Sequence, residues 1–520
     1  MKLTPLAKLF VAVIVIGTVG YLAYHYRGAG RPSAGSPDDR KKDESAKGDG
    51  KGDGDGKGTP KPAPRSGKRI IVGVNDFGGA YPGVVANRGA APGEGSHFTA
   101  AGLEVEFKLI RGSKERLAAF DSGEVDVMLL TLDYLANLVP QYKAKGVDLK
   151  AFLMADWSRG NLGIVTKPGI RNIEGLKEAR AATTRNTPTH YFLLSLLRRS
   201  NLSPAEIERV KSNLVFATKT PLAGEMFQRG EVDAVAIWEP HLTAATGGDK
   251  GRLLVSTVTA SNFIADVLFA RGDWIKAHEQ DLVAFTKAWF EGVAEIEKDT
   301  GAAVERYAKA FAVPPVEAQA LLAKIKPTTF ADNREFFGLE RERAPFLSLF
   351  DDAARFWQRE GVIQSLPNAA EARYLKALEA NAATHTSEKI VEKWRFAAPA
   401  KDATPLLTKS VSIYFPSGGD SIDPNARKIL DTFADTLAEF GNAYVRVEGN
   451  TDSQGSRAKN IELSRRRSRA VVDYLVAQYR FDGARFQAVG NGPDKPVGDN
   501  ATAGGREVNR RTDFQIIPNN

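Results

Sequence analysis

From Lys68 to about Glu388 the chain alternates short apolar runs with stretches whose apolar residues recur every three to four positions. That is the pattern of strands alternating with helices, an α/β architecture. Residues Arg69–Val74, 103–110 and 125–130 read as strands, with a helix starting at Ser113 before the third. Thr131 and Asp133 open a further helix reaching Lys145, and 149–155 closes this first unit. Trp157-Ser158-Arg159-Gly160 reads as a crossing into a second unit. There the pattern predicts strand Leu162–Thr166, helix 173–179, strand 181–185, helix Pro188–Arg199, and strands 214–217 and 232–237. The stretch 256–269 returns to the first unit, and an amphipathic segment, 282–298, opens a helix-rich remainder.

A second pattern begins further on. Val445 and Val447 alternate with Tyr444, Arg446 and Glu448, a half-buried strand that stops at Gly449-Asn450. A turn-rich loop carrying Asp452 follows, then a helix from near Asn460 to Tyr479. On that helix Leu463, Arg467, Val471 and Leu475 fall four apart and stack on one face, so Arg467 is a guanidinium in an apolar column.

The N-terminal end follows neither pattern. Lys2 and Lys8 precede an apolar run, 9–24, of about 16 residues, short for a span of about 20. Tyr21, Tyr24 and Tyr26 suit the far interface. A cleaved signal peptide is the rival, but Gly28-Ala29-Gly30, the small-residue site, lies beyond His25, Tyr26 and Arg27. An uncleaved anchor over 1–27 is the expectation, with the N-terminus cytoplasmic and the remainder exported. Residues 28–67 are Gly, Lys, Asp and Pro without apolar periodicity, a disordered tether of roughly 35 Å root-mean-square span.

The totals narrow the function classes. At 520 residues there is room for two or three domains, and 42% hydrophobic with 26% charged residues is ordinary for globular protein. The net charge of +8 owes much to arginines in the C-terminal helix and last strand, so it is not read as a nucleic-acid footprint. The absence of cysteine excludes disulfides, thiolate metal sites and Cys nucleophiles. The six histidines do not cluster with carboxylates at ligand spacing, and Gly78-Gly79 and Gly504-Gly505 lack the Lys-Ser/Thr of a phosphate loop. No enzyme activity, cofactor or metal is expected.

Two sites carry candidate chemistry. Asp452 and Arg467, held by one strand-loop-helix corner, can clamp a zwitterion, the carboxylate taking an ammonium and the guanidinium a carboxylate. An ion pair that only fastens the loop is the plainer reading of the same two residues. In the middle region Thr187 can cap a helix whose first position is Pro188, leaving free amides beside Arg185 to suit an anionic group. An ordinary helix start with a surface arginine fits equally well. Trp157 and Trp238 can stack a flat ligand or simply pack.

Thr451-Asp452, Gly455, Asn460, Leu463-Ser464 and Arg467, with the opening 413–418 and the closing Gly505-Arg506 and Asn509-Arg510-Arg511, resemble the OmpA-like peptidoglycan-binding domain over roughly 404–518. The resemblance implies that Asp452 and Arg467 grip diaminopimelate in wall stem peptides, with Thr451, Asn460 and Asn450 beside them. Asn450 stands where family members usually have His. Val72-Gly73-Val74, Phe77-Gly78-Gly79, Gly123-Glu124-Val125-Asp126-Val127, Ala155-Asp156-Trp157-Ser158, Gly230-Glu231-Val232-Asp233-Ala234 and Trp238-Glu239-Pro240 resemble periplasmic solute-binding proteins of the nitrate, sulfonate, taurine and thiamine-precursor group. That likeness implies two lobes with a small-molecule cleft at the strand ends, and it adds Phe77, Tyr81 and Thr131 to Trp157, Arg185, Thr187 and Trp238 as ligand-binding residues.

The expected organisation is therefore an anchor (1–27), a linker (28–67), a two-lobed solute-binding domain (68–390), a second linker (391–403) and a smaller α/β wall-binding domain (404–520). The expected function is a membrane-anchored, peptidoglycan-tethered periplasmic protein binding a small anionic solute, with an ABC-type permease as working partner and no nucleic acid. The alternative is a structural link between inner membrane and wall whose solute module binds nothing. A flagellar-stator-like role ranks third, because residues 9–24 carry no carboxylate for a proton path.

Overall fold

The computed structural model describes residues 69–247, 250–339, 344–385, 394–400, 402–416 and 418–519. The expected anchor (1–27) and linker (28–67) lie outside the described residues, as does part of 391–403. Among the described residues no helix is long and apolar enough to cross a membrane.

Strands β1 (Arg69–Val74), β2 (Glu104–Leu109), β3 (Val127–Thr131), β4 (Leu149–Ser158), β10 (Ala265–Arg271) and β11 (Ile325–Pro327) form one sheet, ordered β11-β4-β10-β3-β1-β2. A second sheet, β7-β6-β8-β5-β9, uses β5 (Leu162–Thr166), β6 (Ala181–Thr184), β7 (Val215–Ala217), β8 (Ala234–Trp238) and β9 (Arg252–Ser256). β1, β5 and β8 read as unbroken apolar runs because helices cover both faces, and all but their end residues are buried. The chain crosses between the sheets twice, after β4 and before β10. The Thr257 hydroxyl stitches the crossings together, accepting from the Gly160 amide at 2.8 Å and lying 2.8 Å from the Ser158 hydroxyl.

Helix Pro188–Arg199 and strand β5 fall where the sequence pattern puts them. The segment expected as helix 173–179 is only a 3-10 turn, Glu174–Glu178. Thr187 does not cap its helix: its hydroxyl donates to the Thr184 carbonyl at 2.6 Å, which removes the capping geometry expected for it.

A third sheet, β12-β15-β13-β14, is built from β12 (Leu407–Val411), β13 (Ala443–Asn450), β14 (Phe486–Gly492) and β15 (Thr512–Pro518). Helices Pro424–Glu439 and Arg457–Tyr479 complete this unit. The second helix begins three residues earlier than expected because Ser456 caps it, accepting from the Lys459 amide. Its buried face opens on Asn460, Ser464 and Ser468 rather than on Leu463, which is half-buried. Gly449 and Gly490 explain this. A Cβ at Gly449 would overlap the Ser464 backbone and one at Gly490 would meet the Ile461 carbonyl, so helix and sheet touch where only small residues fit. Val471 and Leu475 are buried as the column predicts.

This third unit is docked on the second sheet's lobe and on the crossing before β10. The Ile173 amide donates to the Leu406 carbonyl and the Thr408 amide to Glu174, at 2.8 and 2.9 Å. Asn262 donates from its amide to Glu439 and from its side chain to Ala438, and the Asn442 amide reaches the Ser261 hydroxyl. Between these contacts Arg199 is largely enclosed, with its Nε and Nη2 each 2.5 Å from Glu439 and Nη2 also 2.8 Å from Asp352. Burial pushes Glu439 up, to about 7, against the pull of Arg199.

Candidate functional site

The wall-binding candidates converge at one end of the third sheet. Asp452 lies two residues past the end of β13, and its carboxylate pairs with Arg510 at 2.7 Å, not with Arg467. The plain Asp452–Arg467 ion pair is therefore absent. Arg467 is instead fixed by main-chain oxygens, donating to the Gly419 carbonyl at 2.9 Å and the Pro416 carbonyl at 3.1 Å. Its guanidinium also lies 4.9 Å from the Phe415 ring centre. Burial lowers its pKa, with Asp452 and Arg510 both near enough to contribute. No carboxylate among the described residues makes ion-pair contact with it.

Loop residues hold this arrangement. Asn460 donates to the Gln454 carbonyl at 2.8 Å, bracing the turn after Asp452, and the Thr451 hydroxyl donates to the Asp452 carbonyl at 2.8 Å. Asn450 is buried. Its amide donates to Asp513 at 3.0 Å and its oxygen accepts from Asn491 at 3.0 Å, so it supports the strand ends rather than facing solvent. Arg510, quoted above only as part of the closing motif, is the residue the sequence reading left out of the site. Its place beside Asp452 could have been suspected from that motif alone.

The ligand-binding candidates of the middle region lie at or just past strand ends, but not all in one place. Phe77, on the loop after β1, meets Trp238 at the end of β8 edge-on, with ring centres 5.3 Å apart. Tyr81 is buried edge-on against Tyr307 at 5.8 Å, and burial raises its pKa to about 12. Trp157 is a packing residue, buried against Phe336 at 5.6 Å with Arg159 over its face at 5.9 Å. Arg185 is exposed and stacks on Phe216 at 3.7 Å, at the edge strand β7. Thr187 turns to its own loop, as described above. The structure thus brings Phe77 and Trp238 together and does not gather Arg185 or Trp157 with them.

What it gathers instead is a row of acids. Pairing across the sheet sets Asp266 of β10 opposite Thr131 of β3 on one side and Asp156 of β4 on the other. Such lateral neighbours point to the same face. Asp133, two residues past Thr131, and Asp156 are 4% and 0% exposed, and none of their carboxyl oxygens has a hydrogen-bond partner. Burial pushes Asp133 up to about 7. Burial, then the Asp266 charge, raises Asp156 well above the usual carboxylate range. Asp266, partly exposed, is pushed to about 6, with Arg116 opposing the shift. Arg116 is itself buried, donates to the Ile110 carbonyl and feels Asp76 as well as Asp266. Sequence reasoning missed this row because its members come from two separate strands and the start of a helix. Asp156 falls within a motif and Asp133 at an expected helix start, while Asp266 carries no local signal.

Residues 414–510 match the OmpA family, and residues 92–303 match a family described as NMT1/THI5 like. Outer membrane porin F of Pseudomonas aeruginosa is 39% identical over 111 residues, 21% of this chain and 32% of its own length. The peptidoglycan-binding protein ArfA of Mycobacterium tuberculosis is 39% identical over 104 residues, 20% of this chain and 32% of its own. The chain thus spans about a third of the length of the curated relatives it matches. Among solved structures, the periplasmic aliphatic sulphonate binding protein SsuA from Escherichia coli aligns over 60% of this chain and 100% of its own, at 17% identity and a TM-score of 0.46. A MotB-like protein from Desulfovibrio vulgaris aligns over 21% of this chain and 74% of its own, at 28% identity and a TM-score of 0.20. Residues 92–303 therefore carry an NMT1/THI5-like domain, and residues 414–510 an OmpA-family domain.

Proposed function

We propose that the chain is a cell-envelope binding protein, not an enzyme, that fastens a solute-binding module to peptidoglycan. Residues 404–520 are the wall-binding domain and 68–390 the solute-binding domain, joined by 391–403. Residues 1–27 anchor the chain in the inner membrane, and 28–67 span part of the periplasm. An ABC-type permease is the natural recipient of the solute.

The observation that carries this reading is Arg467. A guanidinium held by two carbonyls and an aromatic face, with no carboxylate in ion-pair contact among the described residues, is preset for an incoming carboxylate. Asp452 stands ready for the ammonium at the other end of a diaminopimelate centre, exchanging its bond to the half-exposed Arg510 for one to the ligand. Thr451 and Asn460 keep the Asp452 loop in place. ArfA, a relative over this domain, is named as peptidoglycan-binding, which supports the same reading.

Asp452→Ala and Arg467→Ala should each release the protein from isolated diaminopimelate-type wall, since either loss leaves one charge of the zwitterion unmatched. Both variants should stay folded, because Val445, Val447, Val471 and Leu475 keep the apolar contact between helix and sheet. Wall pull-down and melting on the same preparations decide the matter: folded variants that still sediment with wall would end the clamp.

The solute side rests on the strand ends where Phe77 and Trp238 meet. The anionic solute expected from the sequence has only Arg185 in its support, exposed and stacked on Phe216, while the buried acids speak against it. The alternative, a structural link with an idle solute module, leaves those unpartnered acids without a purpose.

A further inference from the structure

Asp133, Asp156 and Asp266 are an unusual expense for a fold to carry. A buried carboxyl is normally paired, and one left without partners costs stability. Here two of the three have no hydrogen-bond partner for either oxygen. Acids alone would prove little, but two further kinds of group point into the same place. The Tyr307 hydroxyl is fully buried and unpartnered, close enough to Asp156 and Asp76 to feel both charges. The Thr131 hydroxyl, level with Asp266 in the sheet, is buried and unpartnered too. Gly79 keeps the spot open: a Cβ there would sit 2.9 Å from an Asp156 carboxyl oxygen and 3.6 Å from one of Asp266. Asp266 is the partly exposed member, so the row is reachable from solvent through it.

We propose that this row is the subsite for an ammonium group of the solute, with Asp266 as the contacting carboxylate and Asp156, Asp133 and the Thr131 and Tyr307 hydroxyls completing its hydrogen bonds. The inference rests on the solute-binding reading and names the class of solute. Every unpartnered oxygen here can accept, and an ammonium brought beside the raised carboxyls would favour their ionised, acceptor-only form, so a ligand with N–H donors suits the row. A primary ammonium brings them, whereas a quaternary one or an anion does not. A metal ion fits less well, since no group of three His, Cys, Asp or Glu among the described residues is placed to hold one. Arg116 is a buried cation near enough to Asp266 to oppose its shift, which makes Asp266 the acid readiest to ionise.

The test uses the full chain in detergent, with methylammonium and putrescine as amine probes, tetramethylammonium as an N–H-free cation and ethanesulfonate as an anion. Binding is read by native mass spectrometry and by melting. Both amines should bind and raise the melting temperature, the other two should not, and Asp266→Asn should weaken amine binding at least tenfold, about 1.4 kcal/mol. The same substitution should raise the melting temperature of the ligand-free protein at pH 8, because it removes a carboxylate that burial disfavours. Asp156→Asn should behave alike and covers the case in which the first variant does not fold. A purely structural acid gives the opposite, a lower melting temperature with amine binding kept, and that result overturns the proposal. Ethanesulfonate binding while both amines fail also overturns it but leaves the solute-binding reading intact. A calcium ion that binds and is lost with Asp266→Asn reassigns the row to metal and likewise overturns it. If no probe binds and native protein carries no small molecule, the solute-binding reading falls and this inference with it.

Discussion

The two candidate sites handle charge in opposite ways. At the wall-binding end the charged groups sit near the surface with partners in place: Asp452 on Arg510, Arg467 on two carbonyls and a ring. In the middle region Asp133 and Asp156 are buried and unpartnered, Asp266 beside them is partly exposed, and burial raises all three above the usual carboxylate range. A surface site of the first kind can exchange one partner for another at little cost in stability. A buried row of the second kind stores an unfavourable term until something arrives to relieve it. The first contrast to expect between them is therefore that substitutions at the wall site change binding and not melting, while substitutions in the row change both, in opposite directions.

The largest effect should come where the two regions are joined. Glu439→Gln leaves Arg199, which cannot shed its proton, largely enclosed with only the more exposed Asp352 to answer it. A loss of about 3 kcal/mol in unfolding free energy is expected. Arg199→Met should cost less, because Glu439 can take up a proton. Equal losses from the two variants, measured by denaturant unfolding, would remove this asymmetry.

A middle-sized effect should appear at Asp133. In the folded chain burial keeps its proton on up to about pH 7, whereas the unfolded chain releases it near pH 4. Stability from this group is complete below the unfolded value and is lost as pH rises through 7. Asp133→Asn should thus gain on the parent by roughly 2 kcal/mol or more at pH 8, less at pH 5, and level off above pH 7. His190, which burial lowers to about 4, tilts both proteins the other way in acid and cancels in the difference. A gain independent of pH would show that Asp133 does not titrate in this range.

The smallest effect belongs to Arg510. Its pair with Asp452 is half-exposed, so Arg510→Ala should lower stability by less than about 1 kcal/mol and leave wall retention in place. Complete loss of retention in a pull-down would make Arg510 a ligand contact rather than a holder of Asp452.

Much of this was legible in the chain itself, but unevenly. Strand β5 and helix Pro188–Arg199 could be read to the residue because period and boundary residues agree. The 457–479 helix was read late because its first turn, Arg457 to Lys459, is exposed and its start is marked only by the Ser456 cap. Strand β11 is three residues long and has no period to detect. Asp452 and Arg467 were legible as a pair of chemistries on one corner. Their actual partners, Arg510 and the 416–419 carbonyls, lie 58 and about 50 residues away in the chain. Asp156 and Asp266 become neighbours only through the register of β4 and β10, which no local pattern encodes.

The turn that carries Glu439 and Asn442 rests on Ser261 and Asn262, in the strand crossing between the lobes. In mechanical terms the wall domain is a lever seated on a pivot. Load applied at the proposed clamp, Asp452 and Arg467, reaches the second lobe directly through the Ile173–Leu406, Thr408–Glu174 and Arg199–Glu439 contacts and the crossing through Asn262, which has Arg159 on its other side at 3.1 Å. On the proposed reading, a third unit held still by peptidoglycan would hold the second lobe with it, and any opening between the lobes would become a swing of the first lobe alone.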